Sequence, residues 1–160
     1  VALSIVGLAV AVLTWQFPDL RLWSATEGEI DGSVEFDFDE GAVVPRCAAL
    51  SGTAPQREGY TLWFANAESG GAYYVKEIDR HVGDEWEIRT TIGGDDSPGL
   101  RANVFVFYVD NDTSSFLQSI HGVASDEGPG YWSSELLPPT AAAIAETTVT
   151  RDADPDSPSC

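Results

Sequence analysis

Apolar and polar residues alternate along much of this chain. From Val34 the stretch VEFDFDE sets Val34, Phe36 and Phe38 on one face and Glu35, Asp37 and Asp39 on the other, the period of two that marks a half-buried strand. EWEIRTTI, residues 85–92, repeats the pattern, with Trp86, Ile88 and Ile92 inward and Glu85, Glu87 and Arg89 outward. RCAALSG, around Cys47, reads as a second, shorter strand. Two further stretches are apolar on both faces. In YTLWFANA (60–67) Leu62 and Phe64 oppose Trp63 and Ala65, and NVFVFYVD (103–110) is dense in β-branched and aromatic residues. Such strands belong in the middle of a sheet or beneath a covering segment. ESGG (68–71) is turn chemistry that leads into a partner strand, AYYVKEI, while GGDDSPG (93–99) breaks the chain and AIAETTVTR (143–151) supplies the last strand.

One segment changes period. In DNDTSSFLQSIHG, Phe116, Leu117 and Ile120 form an apolar stripe, Asp112 or Thr113 stands where a helix is capped, and Gly122 can end it. Short strands separated by turns, with one crossover helix, predict an all-β domain. The expected fold is an antiparallel β-sandwich, Ig-like in the broad sense, over residues 34–151. Residues 18–33 read as a polar linker and 152–160, DADPDSPSC, as a disordered tail. Residues 1–17 carry no charge and run apolar up to Trp15, with Pro18 and Asp19 beyond. Spanning a bilayer takes about 20 apolar residues, so this stretch is expected to be a truncated transmembrane helix. Trp15 and Trp23 would then lie near the interface.

Charge narrows the function. Acidic residues number 26 against 8 basic ones, a net charge of −18, and such a surface repels nucleic acid. With no basic cluster to hold it inside, the β-domain is expected on the extracytoplasmic side of a cell membrane, single-pass, with the N-terminal helix as its membrane partner. The 2 cysteines, Cys47 and Cys160, have no zinc or CxxC spacing. A bridge between them and two free thiols are both open readings.

Catalytic signatures are missing from the sequence. His81 and His121 are isolated, no GxSxG occurs, and no glycine-rich loop joins a strand to a helix with a Lys-Ser/Thr pair. The expectation is therefore a protein that is not an enzyme and needs no cofactor. Asp110, Asp112 and Ser114 take the first alternate positions of a calcium loop, but Ser115 and His121 stand where its glycine and glutamate should be. A looser cation site from Asp95, Asp96, Asp110 and Asp112 is the weak metal candidate. The aromatic residues carry the remaining interest. Trp63, Tyr73, Tyr74 and Trp132 are the candidate ligand contacts, with Trp63 and one of the two tyrosines expected on an outer sheet face. Phe64 is assigned to the core.

Four phrases, CAALSGTA (47–54), EGYTLWFANAESGGAYYV (58–75), DEWEIRTTIG (84–93) and SELLPPTAAAIAETTVTR (134–151), resemble uncharacterised single-pass membrane proteins of actinobacteria. The likeness covers about two thirds of the chain. It implies membrane attachment and a small extracytoplasmic β-domain, and it brings no catalytic residues. The function expected from all of this is a membrane-anchored extracytoplasmic binding or interaction module without catalytic activity, with a protein or glycan partner. The alternatives are a structural spacer for a cytoplasmic portion, and a carbohydrate-binding domain.

Overall fold

The computed structural model describes residues 33–160 apart from 69–70, 95, 126–131, 155 and 157, and the backbone without the side chains of 121–125 and 132. The apolar stretch 1–17 and the linker before Ser33 lie outside the described residues. Among those described, no helix is long and apolar enough to cross a membrane.

The strands are β1 (Glu35–Phe36), β2 (Ala42–Val44), β3 (Cys47–Thr53), β4 (Tyr60–Glu68), β5 (Tyr73–Glu77), β6 (Arg80–Val82), β7 (Glu85–Thr91), β8 (Arg101–Asp110), β9 (Trp132–Ser134) and β10 (Ala142–Arg151), with helix α1 (Asn111–Ser125) between β8 and β9. They build a four-stranded sheet, order β1-β3-β7-β6, and a six-stranded sheet, order β2-β10-β8-β4-β5-β9. The all-β, two-sheet reading of the sequence holds. Pairing is antiparallel except at one edge, where β2 runs parallel to β10. The parallel pair arises because the chain changes sheets early. Phe36 ends β1 in one sheet, Gly41 turns with φ of 77°, and Ala42 begins β2 in the other. That turn also cuts short the strand expected over 34–40. Phe36 and Phe38 still pack on the core, and Asp37 N–H donates to the Ser51 carbonyl at 3.0 Å.

The inner faces meet in one apolar core. Leu62 and Phe64 from β4 and Val104 and Val106 from β8 pack against Leu50 of β3 and Trp86 and Ile88 of β7. Phe36 meets the Trp86 ring edge-on, with centroids 5.7 Å apart. Gly52 on β3 is required for this contact, because a Cβ there would run into the Glu35 carbonyl and the Trp86 ring.

A second core lies on the other side of the six-stranded sheet. Trp63, Ala65 and Ala67 of β4, Phe105, Phe107 and Val109 of β8, and Val75 of β5 form it. Leu117 of α1 closes over them, with Leu137 and Ala141 at the margin. This cover explains why β4 and β8 are apolar on both faces. Burial of both faces asks for apolar side chains at every position, not at alternate ones. The helix itself begins at Asn111, one residue after the end of β8, and passes through Gly122 to Ser125. The cap is Asp110, not Asp112 or Thr113. The Asp110 Oδ1 accepts the Thr113 N–H at 2.8 Å, and the Thr113 hydroxyl donates to Oδ2 at 3.1 Å.

The tail reading also changes. Cys160 is disulfide-bonded to Cys47, with a sequence separation of 113 and Cα atoms 4.9 Å apart. Its N–H donates to the Thr91 hydroxyl at 3.2 Å. Both contacts tie the segment after β10 to the start of β3 and the end of β7.

Candidate functional site

The two ends of the inter-sheet core are finished differently. At one end polar groups meet polar groups. The Tyr108 hydroxyl donates to the Pro55 carbonyl, the Arg57 guanidinium lies 4.8 Å over the Tyr108 ring, and His81 Nε2 sits 2.8 Å from the Ala54 carbonyl oxygen. Burial pushes the Tyr108 hydroxyl above its ordinary pKa, against the lowering effect of its bond to Arg57. This end is closed.

At the other end the sheets part around a cleft of about 310 Å3. Along the inner row of β4 the side chains run Leu62, Phe64, Asn66, Glu68, so the row turns from apolar to polar as it reaches the cleft. β7 does the same, Ile88 giving way to Thr90. Asn66 and Thr90 both line the cleft and are only 7% and 6% exposed. Among the described residues neither side chain has a hydrogen-bond partner. Their polar groups open onto the cleft, where a ligand can replace water as their hydrogen-bond partner.

Small residues leave the space open. Ala102 of β8 stands in the inner row that continues with Val104 and Val106, and Gly93 and Gly94 form the wall after β7. Gly93 has φ of 73° and its missing Cβ would meet Leu100 Cδ2 at 2.8 Å, so only glycine fits. Arg151 backs this wall. It is buried, it donates from Nη1 to the Gly94 carbonyl, and its backbone N–H donates to Leu100 O at 2.8 Å. Cys160 completes the lining, so the disulfide holds one side of the cleft.

The rim carries charge of both signs. Glu68, Lys76 and Arg89 line it. Lys76 is committed to the scaffold, since Nζ donates to the Arg89 carbonyl at 2.7 Å and pairs with Asp79 at 2.9 Å. Asp79 in turn accepts the Arg89 backbone N–H at 2.7 Å. Together these bonds cap the edge of β7 beyond the short β6.

The four aromatic candidates separate. Tyr74, 38% exposed as a residue, lines the cleft directly across from Asn66 in the β4–β5 register. Tyr73 faces the opposite side, packed against Phe105 at 5.3 Å between centroids. Trp63, expected on an open face, is 0% exposed beneath α1, and its Nε1 donates to the buried Ser114 hydroxyl at 3.1 Å. A ring sealed in this way offers no surface to a ligand. It is also not beside Tyr73: Trp63 pairs with Glu77, and Tyr73 with Ala67. Trp132 is paired with Val75 at the sheet edge, and its side chain lies outside the description.

The aspartate candidates do not converge. Asp95 lies outside the described residues, Asp96 is exposed in a turn, Asp112 is exposed in the first helical turn, and Asp110 is engaged as the cap. Among the described residues no group of three or more His, Cys, Asp or Glu is placed to hold a metal ion. The Asp110 carboxyl is held below its ordinary pKa, first by the Thr113 N–H and then by side-chain bonds to Thr113 and Thr140. Its contribution to stability is therefore complete above the ordinary aspartate value of about 3.9 and is lost as pH falls through the lower folded value. Asp110→Ala should cost about 0.5–2 kcal/mol at neutral pH, with Asp110→Asn retaining most of it. The gap between wild type and Asp110→Ala in urea denaturation should close on acidification. A gap constant with pH would mean that the carboxylate is not the cap.

Sequence reasoning missed Asn66, Thr90 and Arg151. The signal for the first two was present: each is a polar residue at an inward position of an otherwise apolar row. Comparison with protein-family models, curated proteins and solved structures found no match for this chain.

Proposed function

We propose that this chain is a membrane-anchored, extracytoplasmic binding module, without catalytic activity, whose inter-sheet cleft takes a small polar ligand. The observation that carries the reading is the pair of polar side chains, Asn66 and Thr90, set at inward positions of two different sheets and opening onto one cleft. The volume, about 310 Å3, is at the small end of the range for small-molecule sites, about 300–1,000 Å3. Binding is favoured over turnover because Glu68 is the only carboxylate side chain among the described residues that line the cleft. General acid–base work on a bound substrate usually draws on a second group within reach.

Location rests on two supports. A disulfide persists in oxidising compartments and is rare in reducing ones, and Cys47–Cys160 is bonded. The apolar, uncharged residues 1–17 suit an anchor. The Ig-like description, in the broad sense, is our reading of two sheets packed across one core, with α1 linking β8 to β9 over the outer face of the larger sheet.

A thermal-shift screen over neutral saccharides, capped dipeptides and dicarboxylates tests the module. At least one class should raise the Tm of the wild type, because a ligand that binds only the folded state stabilises it. The same compound should leave Asn66→Leu unmoved. Asn66→Leu should itself melt within a few degrees of wild type, since leucine keeps a side chain of similar size at the cleft wall. No shift from any class would favour the spacer reading. In parallel, the full chain should stay with membranes after a high-salt wash, and recovery in the soluble fraction would end the anchor proposal.

A further inference from the structure

We propose that the ligand of this module carries a carboxylate, whose two oxygens are received by Nε and Nη2 of Arg151 behind the Gly93–Gly94 wall of the cleft. This rests on the binding-module reading and names the chemical class of its ligand.

Among the described residues Arg151 alone is both charged and buried, at 1% exposed. It ends β10 on the same strand face as the core residue Val149, which pairs with the cleft-lining Ala102. The guanidinium is held at one nitrogen only. Nη1 donates to the Gly94 carbonyl, while Nε and Nη2 are buried with no hydrogen-bond partner among the described residues. A guanidinium is planar, and its Nε–H and one Nη2–H run parallel along one edge, the edge that takes a carboxylate through two bonds. The two unbonded donors are therefore the halves of a single fork, and Nη1 anchors it from the other side.

Asp152, next in sequence, does not close the fork, since its own buried Oδ1 is without a hydrogen-bond partner. An arginine in this state costs stability that an apolar residue of similar volume would restore, which fits a side chain kept for what it binds. Gly93 and Gly94 border both the cleft and the arginine. They line the cleft, Gly94 takes Nη1, and Arg151 Cδ lies 3.8 Å from where a Gly93 Cβ would stand. Two glycines put no side chain between cleft and guanidinium. The ligand's route to the fork runs past the Gly94 backbone, and the rest of the ligand stays in the cleft beside Asn66 and Thr90.

Charge selects the class. One guanidinium balances one negative charge, so a carboxylate is neutralised and a phosphate dianion is not. The cleft adds no further positive field, because Lys76 is paired with Asp79 at 2.9 Å and the lining residues Glu68 and Arg89 are opposite in sign. The chain as a whole carries −18, which repels any excess of negative charge. A neutral carbonyl oxygen would fill the fork but leave its charge unbalanced.

The test reads the Arg151 Nε–H signal in the 15N-labelled full chain, in nonionic detergent and carboxylate-free buffer at neutral pH. The probes are acetate, benzoate and N-acetylglycine, with N-acetylglycinamide, inorganic phosphate and chloride beside them. At least one carboxylate should move the Nε–H signal downfield saturably, and the Gly93 and Gly94 backbone signals with it. The amide, phosphate and chloride at equal concentration should leave it in place. Arg151→Lys keeps the charge without the fork and should weaken binding by about tenfold or more, read at Gly93 and Gly94. Arg151→Met should abolish it. Should either variant fail to fold, the wild-type Nε–H signal still decides. Equal shifts with chloride, phosphate or the amide would overturn the carboxylate. Carboxylate shifts at Thr90 and Thr91 with the Nε–H signal unmoved would overturn the role of Arg151 and leave the module standing. Silence from every carboxylate would overturn the inference, and the thermal-shift screen with the other ligand classes then decides the module separately.

Discussion

Trp63→Ala should cost this protein about 3–5 kcal/mol of stability, as much as Phe64→Ala, although the two rings point to opposite faces of β4. Trp63 is 0% exposed, packed with Ala65, Phe107 and Leu117, and its Nε1 donates to Ser114 at 3.1 Å. Truncation removes a large apolar ring, leaves a cavity under α1, and orphans the buried Ser114 hydroxyl. The lost hydrogen bond adds to the cavity term because an unpaired buried group keeps its desolvation cost. Phe64 has no polar handle, but its ring fills the main core between the sheets. Chemical denaturation of both variants gives the comparison, with the slope against denaturant checking that the unfolding transition keeps its extent. A Trp63→Ala loss below about 1 kcal/mol would be the size of an ordinary surface change. It would mean that α1 does not cover the sheet.

Reduction of Cys47–Cys160 should be comparably severe. The bridge closes a loop across a separation of 113 residues, almost the whole described domain. On the chain-entropy account a loop of about 100 residues loses about 4.7 kcal/mol of unfolded-state entropy when it is closed, so the loss on reduction should approach that value. Cys160→Ser should match the reduced wild type and should not respond to reductant. Denaturation midpoints with and without reductant, alongside a thiol count, decide the matter. Equal midpoints would show that the bridge does not constrain the unfolded chain. The consequence reaches the site as well. Cys160 lines the cleft and its N–H donates to Thr91 at 3.2 Å, so ligand affinity should fall on reduction even under conditions where the domain stays folded.

Much of the architecture was legible in the residues. EWEIRTTI alternates, and it is β7 with Trp86 and Ile88 in the core. The doubly apolar stretches 60–67 and 103–110 are β4 and β8, adjacent at the centre of the six-stranded sheet. The helix was expected where α1 lies, but its cap was displaced to Asp110 because β8 runs directly into it. The short strands β6 and β9 carry too few residues to show a period, and β2 is hidden by a turn that looks like strand continuation.

The site was less legible, and the reason is physical. Alternation reports that two faces differ; it does not report what covers each one. Local sequence assigned Phe64 correctly because one face of a sandwich strand must be core. It could not assign Trp63, whose environment depends on α1, about fifty residues further along, where Ser114 and Leu117 meet it. Tyr73 and Tyr74 were separable by pleat alone, but which of them faces the cleft was decided by the register with Ala67 and Asn66. The residues themselves determined an acidic, all-β domain with two sheet faces to cover and one helix to cover with. Only the tertiary structure decided that the helix seals the aromatic face, that Cys160 returns to Cys47, and that Asn66 and Thr90 are left facing each other's sheet across an open cleft. Those outcomes depend on contacts between segments far apart in sequence, and no local pattern encodes the partner of a buried side chain.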